Sequence, residues 1–183
     1  FDAAFPDVQE DNRYSVEMAG LAIAAYERTI MASESPFQRW LNGEHSAMTS
    51  HQKDGAMVFF GAAKCGTCHN GPALTDGGFH ALGMPDMPSS EVLDATGKDY
   101  GMSSADAALG RGGFTGEDGD KYAFKTPQLY NLEDGRFYGH GGTFYSLSEV
   151  VDYKLAGMSA KPEVTPYLSQ DYDAVEITED QKN

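Results

Sequence analysis

The chain has 183 residues, a formal net charge of −15 and a hydrophobic fraction of 40%. This length predicts one core and a single domain over residues 1–183. No apolar run reaches the roughly 18 residues of a membrane helix. So acidic a chain repels nucleic-acid phosphates, which argues against DNA or RNA binding. Its charge either favours a partner with a basic patch or simply keeps the protein soluble.

Three helices are predicted in the first third of the chain. Residues 12–31 show apolar side chains at three- and four-residue steps, the pattern of an amphipathic helix. Residues 36–41 predict a short helical turn that begins at a proline. Thr49 is placed to cap a third helix that continues through Phe60.

The middle of the chain is predicted to be loop-rich. Most of the 21 glycines fall between Gly55 and Gly142, with at most a short helix near 105–109. A capping-box pattern at 146–149 then predicts a helix to about Ala156. Its predicted inward side chains are Leu147, Val150, Val151 and Leu155. A capping pattern at Thr178 predicts the start of a last helix that stops with the chain, and we therefore expect an excised domain with a truncated final helix.

The two cysteines of the chain lie in Cys65-Gly66-Thr67-Cys68-His69. The C-x-x-C-H pattern is typical of covalent haem c attachment. Two thiols on one turn can reach the two vinyl groups at one porphyrin edge, and the adjacent histidine then lies under the iron. The sequence therefore predicts one covalent haem c, attached through Cys65 and Cys68, with His69 as an axial ligand.

Other interpretations of this motif explain less. A zinc site requires a fourth ligand, and the remaining histidines lack the usual zinc spacing. A thioredoxin-like pair has a strand before it, whereas here a helix is predicted there. A plain disulfide leaves the histidine unexplained.

The remaining histidines receive weaker assignments. His45 and His51 lie in a polar stretch and are predicted to be surface residues. His80 is predicted to pack near the haem edge without a chemical role. His140 lies in a glycine-rich segment whose backbone can approach a porphyrin closely, so it is predicted to contact the haem as a hydrogen-bonding group rather than as a second axial ligand.

Several motifs follow one order that resembles a known family. They are Tyr26-Glu27-Arg28-Thr29, Ser35-Pro36-Phe37, Cys65-Gly66-Thr67-Cys68-His69-Asn70-Gly71-Pro72, Phe79-His80-Ala81-Leu82-Gly83, Phe124-Lys125-Thr126-Pro127-Gln128-Leu129-Tyr130-Asn131, Gly139-His140-Gly141-Gly142 and Ser146-Leu147-Ser148-Glu149-Val150-Val151. This succession resembles the C-terminal haem domain of bacterial di-haem cytochrome c peroxidases and of the related proteins that mature methylamine dehydrogenase.

The resemblance implies an electron-entry domain with a six-coordinate haem, which passes electrons to a separate N-terminal haem where peroxide reacts. This sequence holds one C-x-x-C-H motif, so the family's peroxidase activity does not carry over simply. The family's calcium ion lies between its two halves and is not predicted for this chain alone.

The resemblance also raises the question of the sixth iron ligand. The family places a methionine or tyrosine about fourteen residues beyond the histidine that matches His140, and this position is Lys154 here. A lysine amine can bind iron when burial lowers its pKa. Lys154 is the predicted ligand, with Met158 one turn further along as the alternative, or an open position. Tyr153 points away from this face. The alternative without iron ligation is that Lys154 faces solvent and Met158 fills core space.

An apolar pocket should surround the haem. Its predicted lining is Leu74, Phe79, Leu82, Met84, Phe124, Pro127, Leu129 and Phe144. The basic residues placed to pair with haem propionates are Arg111, Lys125 and Arg136. Trp40 and Tyr130 are either relay aromatics or packing residues.

Together these features predict a mostly α-helical, loop-rich, class I-like cytochrome c fold. The predicted function is one-electron transfer with a redox partner protein or domain, in a periplasmic or secreted setting. One alternative is a peroxidase with an open sixth position and His140 or Glu149 as its acid–base group. Another is a haem-based sensor module within a larger protein.

Overall fold

The computed structural model of the chain describes residues 1–31, 33–85 and 108–182. The described residues are rich in short helices, with one two-stranded sheet. They divide into two compact units, Phe1–Ala47 and Met48–Asn183. The single mono-haem domain over 1–183 stays a prediction. Most of the short helix predicted at 105–109 lies outside the described residues.

The first unit holds three helices, α1 (Glu10–Arg13), α2 (Val16–Glu27) and α3 (Pro36–Leu41). The helix predicted over 12–31 is therefore two helices. The break occurs at Ser15, whose backbone is extended and whose side-chain oxygen accepts the amide of Met18, so that Ser15 starts α2 as an N-cap. The predicted turn at 36–41 is confirmed, with Ser35 as its N-cap.

The second unit holds α4 (Ser50–Phe60), α5 (Arg111–Thr115), α6 (Leu147–Ala156), α7 (Glu179–Lys182) and the antiparallel pair β1 (Phe79–His80) and β2 (Phe124–Lys125). Capping boxes open both longer helices, one from Thr49 and Gln52 and one from Ser146 and Glu149. The predicted starts and ends of α4 and α6 are confirmed.

The buried apolar residues of the second unit come from several segments: Met48, Ala81, Ala123, Val164 and Tyr172. The prediction that α6 turns four apolar side chains inward is wrong for two of them. Leu147 and Val151 are 40% and 39% exposed, because their face of α6 is only partly covered by other protein segments. In the described part of the chain, no helix has the length and apolar character needed to span a membrane.

Candidate haem site

The cysteine motif lies on a tight turn directly after α4. Residues Cys65–Thr67 form a 3-10 turn, and the amide of His69 donates to the carbonyl of Cys65 at 2.9 Å. A Cβ atom at Gly66 would lie 2.6 Å from the Phe60 ring, so a larger residue here would displace that ring. Both cysteines are half-buried free thiols. The turn therefore presents two unbridged thiols close to the imidazole.

His69 is held in one tautomer by the loop that follows it. Its Nδ1 lies 3.0 Å from the carbonyl oxygen of Leu74, which can only accept, so Nδ1 carries the proton and Nε2 keeps its lone pair. Leu74 has a φ of 51°, and this left-handed turn aims its carbonyl at the ring. Burial lowers the pKa of His69. The histidine is thus a neutral imidazole with a nitrogen available to a metal.

Lys154, in the last turn of α6, lies close to the cysteine motif. Burial lowers the pKa of Lys154 to about 8, while the two cysteines act in the opposite direction. Burial likewise raises the pKa of Cys65 and Cys68, and the charge of Lys154 opposes that rise. For His69, burial and then the charge of Lys154 both lower the pKa. The structure therefore brings Lys154 to the motif instead of turning it to solvent.

The two neighbours considered with Lys154 are less well placed. Met158 is 67% exposed and follows Gly157, which ends α6 with a φ of 59°. The Tyr153 hydroxyl donates to the carbonyl of Leu82 at 2.8 Å and accepts the amide of Ala160 at 3.2 Å. Lys154 is half-buried, and its charge acts on both cysteines and on His69.

The β1–β2 pair brings several predicted contact residues together. Phe124 pairs with His80 across the strands, and its ring stacks on His140 with centroids 3.5 Å apart. Pro127 is exposed. Burial has the largest effect on the pKa of His69 and lowers it, whereas a hydrogen bond with the Pro127 carbonyl has a smaller effect and raises it. Leu129 is half-buried. Contact of these residues with haem stays a prediction.

The basic and aromatic candidates have protein partners of their own. The Arg111 guanidinium lies 4.4 Å from the centroid of the 42%-exposed Phe79 ring, and its Nε lies 3.0 Å from Asp120. The Tyr130 hydroxyl donates to the carbonyl of Pro72 at 2.7 Å. Trp40 belongs to the first unit, where its ring lies 6.1 Å from that of Phe37. Lys125 and Arg136 are exposed.

The remaining lining candidates lie in the second unit. Phe144 packs on Tyr153, with ring centroids 5.3 Å apart. Met84 lies beside Gly139, where a Cβ atom would come 3.4 Å from its sulfur. Leu74 and Leu82 supply the backbone carbonyls that accept from His69 and Tyr153.

One pair of residues was missed by the sequence analysis. His80 Nε2 lies 2.7 Å from an Asp76 carboxylate oxygen, and the ligand atoms of Asp76, His80 and Cys68 all lie within 4.8 Å of one another. The only available signal was the four-residue spacing of the pair. Once Cys68 is a thioether it no longer offers a thiolate, so this cluster does not compete with the haem assignment.

The residues present fit a covalently attached haem. They supply two thiols at one turn, an imidazole whose Nδ1 faces a backbone carbonyl, and a half-buried amine. The α6 face of Leu147, Val151 and Lys154 also presents partly open apolar side chains, and Met57 and Phe60 of α4 are 70% and 47% exposed. Apolar side chains of this kind could cover a porphyrin.

Comparisons with known proteins show the family to which the chain belongs. The family model for di-haem cytochrome c peroxidase matches residues 1–46. The chain is 34% identical to cytochrome-c peroxidase IdrP1 of Denitromonas iodatirespirans, over 91% of this chain and 48% of that protein. It is 34% identical to the methylamine utilization protein MauG of Methylorubrum extorquens, over 79% of this chain and 36% of that protein. The chain thus spans about half the length, or less, of these relatives.

Solved structures show the same fold. A MauG-like protein associated with microbial copper homeostasis has a TM-score of 0.67 and 25% identity, covering all of this chain and 54% of that one. The di-haem peroxidase BthA of Burkholderia thailandensis has a TM-score of 0.57 over 82% of this chain and 44% of that one, at 15% identity, which speaks for the fold alone. The chain therefore belongs to the di-haem cytochrome c peroxidase and MauG family, a haem-based redox family with a mostly α-helical fold.

Proposed function

We propose that this chain is a one-electron transfer module that holds a single haem c through Cys65 and Cys68, with His69 and Lys154 as axial ligands. The observation that carries the proposal is the burial of Lys154 beside both cysteines and His69. When bound, the haem iron supplies a ferric–ferrous couple.

The motif side contributes attachment and orientation. The turn at Cys65–Thr67 keeps both thiols on one side of the chain, so that they can form thioether bonds at one porphyrin edge. The carbonyl of Leu74 accepts from Nδ1 of His69 at 3.0 Å and so favours the tautomer in which Nε2 has the lone pair. Because that hydrogen bond also fixes the ring plane, little rearrangement of the ligand is needed when the charge on the iron changes.

The α6 side contributes a second ligand and excludes water. Burial favours the neutral form of Lys154, whose lone pair can then bind a metal. A protein side chain in the sixth position leaves no place for peroxide, which favours electron transfer over catalysis. A nitrogen donor should also hold the potential below that given by methionine, which raises it.

Partner and location follow from charge and chemistry. The net charge of −15 would steer a redox protein or domain that carries a basic patch towards the exposed haem edge. Covalent haem attachment belongs outside the cytoplasm, so we place the module in the periplasm or in a secreted protein. We further propose that it is one domain of a larger protein, since its relatives are about twice as long.

The second candidate is a peroxidase, or part of one, that reduces hydrogen peroxide. The names of the relatives favour it, since several are cytochrome c peroxidases, such as Ccp of Escherichia coli at 35% identity over 73% of this chain and 26% of that protein. It requires an open sixth position and an acid–base group. Glu149 is poorly suited, because its carboxylate accepts the backbone amides of Tyr145 and Ser146. His140 remains the candidate for that role.

Absorption and EPR spectra of the ferric holoprotein, with and without hydrogen peroxide, separate the two functions. Wild type is compared with Lys154→Ala and with the exposed neighbour variant Met158→Ala as a matched control. We expect the wild-type haem to be low-spin and its spectrum not to change with peroxide. The Lys154→Ala haem should be high-spin, and the spectrum of Met158→Ala should equal that of wild type. A high-spin wild type that reacts with peroxide would establish the peroxidase instead.

A further inference from the structure

The last turn of α6 is capped by a distant segment, residues 172–175, here named the strap. A helix leaves its last four carbonyl groups without partners inside the helix. The Tyr172 hydroxyl donates to the carbonyl of Tyr153 at 3.1 Å, and the amide of Val175 donates to that of Leu155 at 2.8 Å. The strap therefore donates hydrogen bonds to the two backbone carbonyls that flank Lys154, those of Tyr153 and Leu155.

The strap also packs directly on the end of the helix. Gly157 ends α6 with a φ of 59°, a conformation that favours glycine. A Cβ atom at this position would come 2.0 Å from the amide nitrogen of Ala174. The helix end and the strap thus lie so close together that only glycine fits at position 157.

Tyr172 joins this cap to the lysine. Its side chain is buried, at 9% exposure, and its ring centroid lies 5.7 Å from Nζ of Lys154 and 6.2 Å from the ring of Tyr153. Its hydroxyl also lies 3.3 Å from the carbonyl of Met158, beyond the end of the helix. One side chain therefore contacts the backbone on both sides of Lys154, and its ring lies next to the amine.

We propose that Tyr172 is a positioning residue for the sixth iron ligand and acts through Lys154. This inference rests on the proposed function. A lysine side chain has high conformational freedom, so its amine stays at one point only if its own turn is fixed. The Tyr172 hydroxyl fixes that turn, and its ring lies beside the amine, with its centroid 5.7 Å from Nζ.

The test uses the ferric holoprotein with three tyrosine variants. Tyr172→Phe removes the hydroxyl and keeps the ring, whereas Tyr172→Ala removes both. Tyr138→Phe is the matched control, because the Tyr138 hydroxyl also lies within hydrogen-bonding distance of two backbone carbonyls, those of Leu132 at 2.6 Å and Gly135 at 2.8 Å. EPR gives the low-spin fraction, near-infrared magnetic circular dichroism gives the ligand type, and a redox titration gives the midpoint potential.

We expect the ratio of amine-bound to amine-free haem to fall about fivefold in Tyr172→Phe, as for one lost hydrogen bond. It should fall further in Tyr172→Ala, with a new high-spin or thioether-ligated species and a shifted potential, and stay unchanged in Tyr138→Phe. If Tyr172→Ala does not mature, Tyr172→Phe decides.

The two proposals fail in different ways. A Lys154→Ala protein that keeps the wild-type spectrum overturns lysine ligation itself. A Lys154→Ala protein that becomes high-spin, together with a Tyr172→Phe protein indistinguishable from wild type in ligand type and potential, overturns the positioning role alone. An equal change in Tyr138→Phe also overturns it, because a general loss of a buried hydroxyl would then explain the effect.

Discussion

The two sides of the candidate haem site are built in different ways. On the motif side, His69 is oriented by Leu74, five residues further along the chain, and by a turn that begins at Cys65. On the α6 side, the turn that carries Lys154 is capped by Tyr172 and Val175, about twenty residues away. The first proposed ligand is held by local structure and the second by packing. A change in the strap should therefore disturb one side and leave the other intact.

The strongest expected effect is the loss of the locally held ligand. His69→Ala removes the imidazole while both attachment thiols remain, so the haem should lose its low-spin spectrum completely. Absorption and EPR spectroscopy of the ferric protein measure this. His51→Ala, at an exposed position in α4, is the control and should leave the spectrum unchanged. A low-spin His69→Ala protein would show that the motif side is not the ligand side.

The next effect concerns the ligand held by packing. Lys154→Met replaces the amine with a thioether, so the haem should stay low-spin while its midpoint potential rises by on the order of 100 mV. A spectroelectrochemical titration measures the shift, with Met158→Leu as the control at an exposed position. An unchanged potential in Lys154→Met would mean that α6 supplies no ligand, and the comparison of the two sides would fail.

A smaller effect is expected when the strap is displaced without a change of ligand. Gly157→Ala puts a Cβ atom 2.0 Å from Ala174 at a φ of 59°. Holoprotein stability should fall by about 1–3 kcal/mol, measured by denaturant unfolding. Gly119→Ala is the matched control, because a Cβ atom there meets nothing within 4 Å. Equal stability of the two variants would contradict the close approach of the strap.

The smallest effect is a pH dependence on the motif side. Burial works to raise the pKa of Asp76, but hydrogen bonds from His80 and the amide of Gly78 lower it on balance. A lowered carboxyl pKa stabilises the fold above the unfolded value of about 3.9, and this contribution disappears as the pH falls through the folded value. Asp76→Asn should therefore be less stable than wild type at pH 7.

Urea unfolding at several pH values checks this prediction. The difference between Asp76→Asn and wild type should be largest near neutral pH and should disappear as the pH falls through the lowered pKa of Asp76. Glu117→Gln, which changes an exposed carboxyl group, should show no such trend. A difference that persists at low pH would mean that Asp76 stabilises the loop after the motif by packing and not by its charge.

The sequence alone determined the parts of this protein that depend on short-range geometry. The cysteine motif predicted a tight turn before His69, and the capping boxes predicted α4 and α6 with their boundaries. These features depend on hydrogen bonds between residues a few positions apart, so a pattern of residue types is enough to find them. The helix predicted over 12–31 was wrong at Ser15, where a capping side chain interrupts the apolar periodicity.

Only the tertiary structure decided the rest. The sequence left Lys154, Met158 and an open position as alternatives, and burial beside the cysteines now favours Lys154. The strap and the Asp76–His80 pair had no clear signal, because a tyrosine or a carboxylate looks the same in a sequence whether it is exposed or packed. Burial, and with it the availability of an amine to a metal, depends on which distant segments meet, and residue spacing does not encode that.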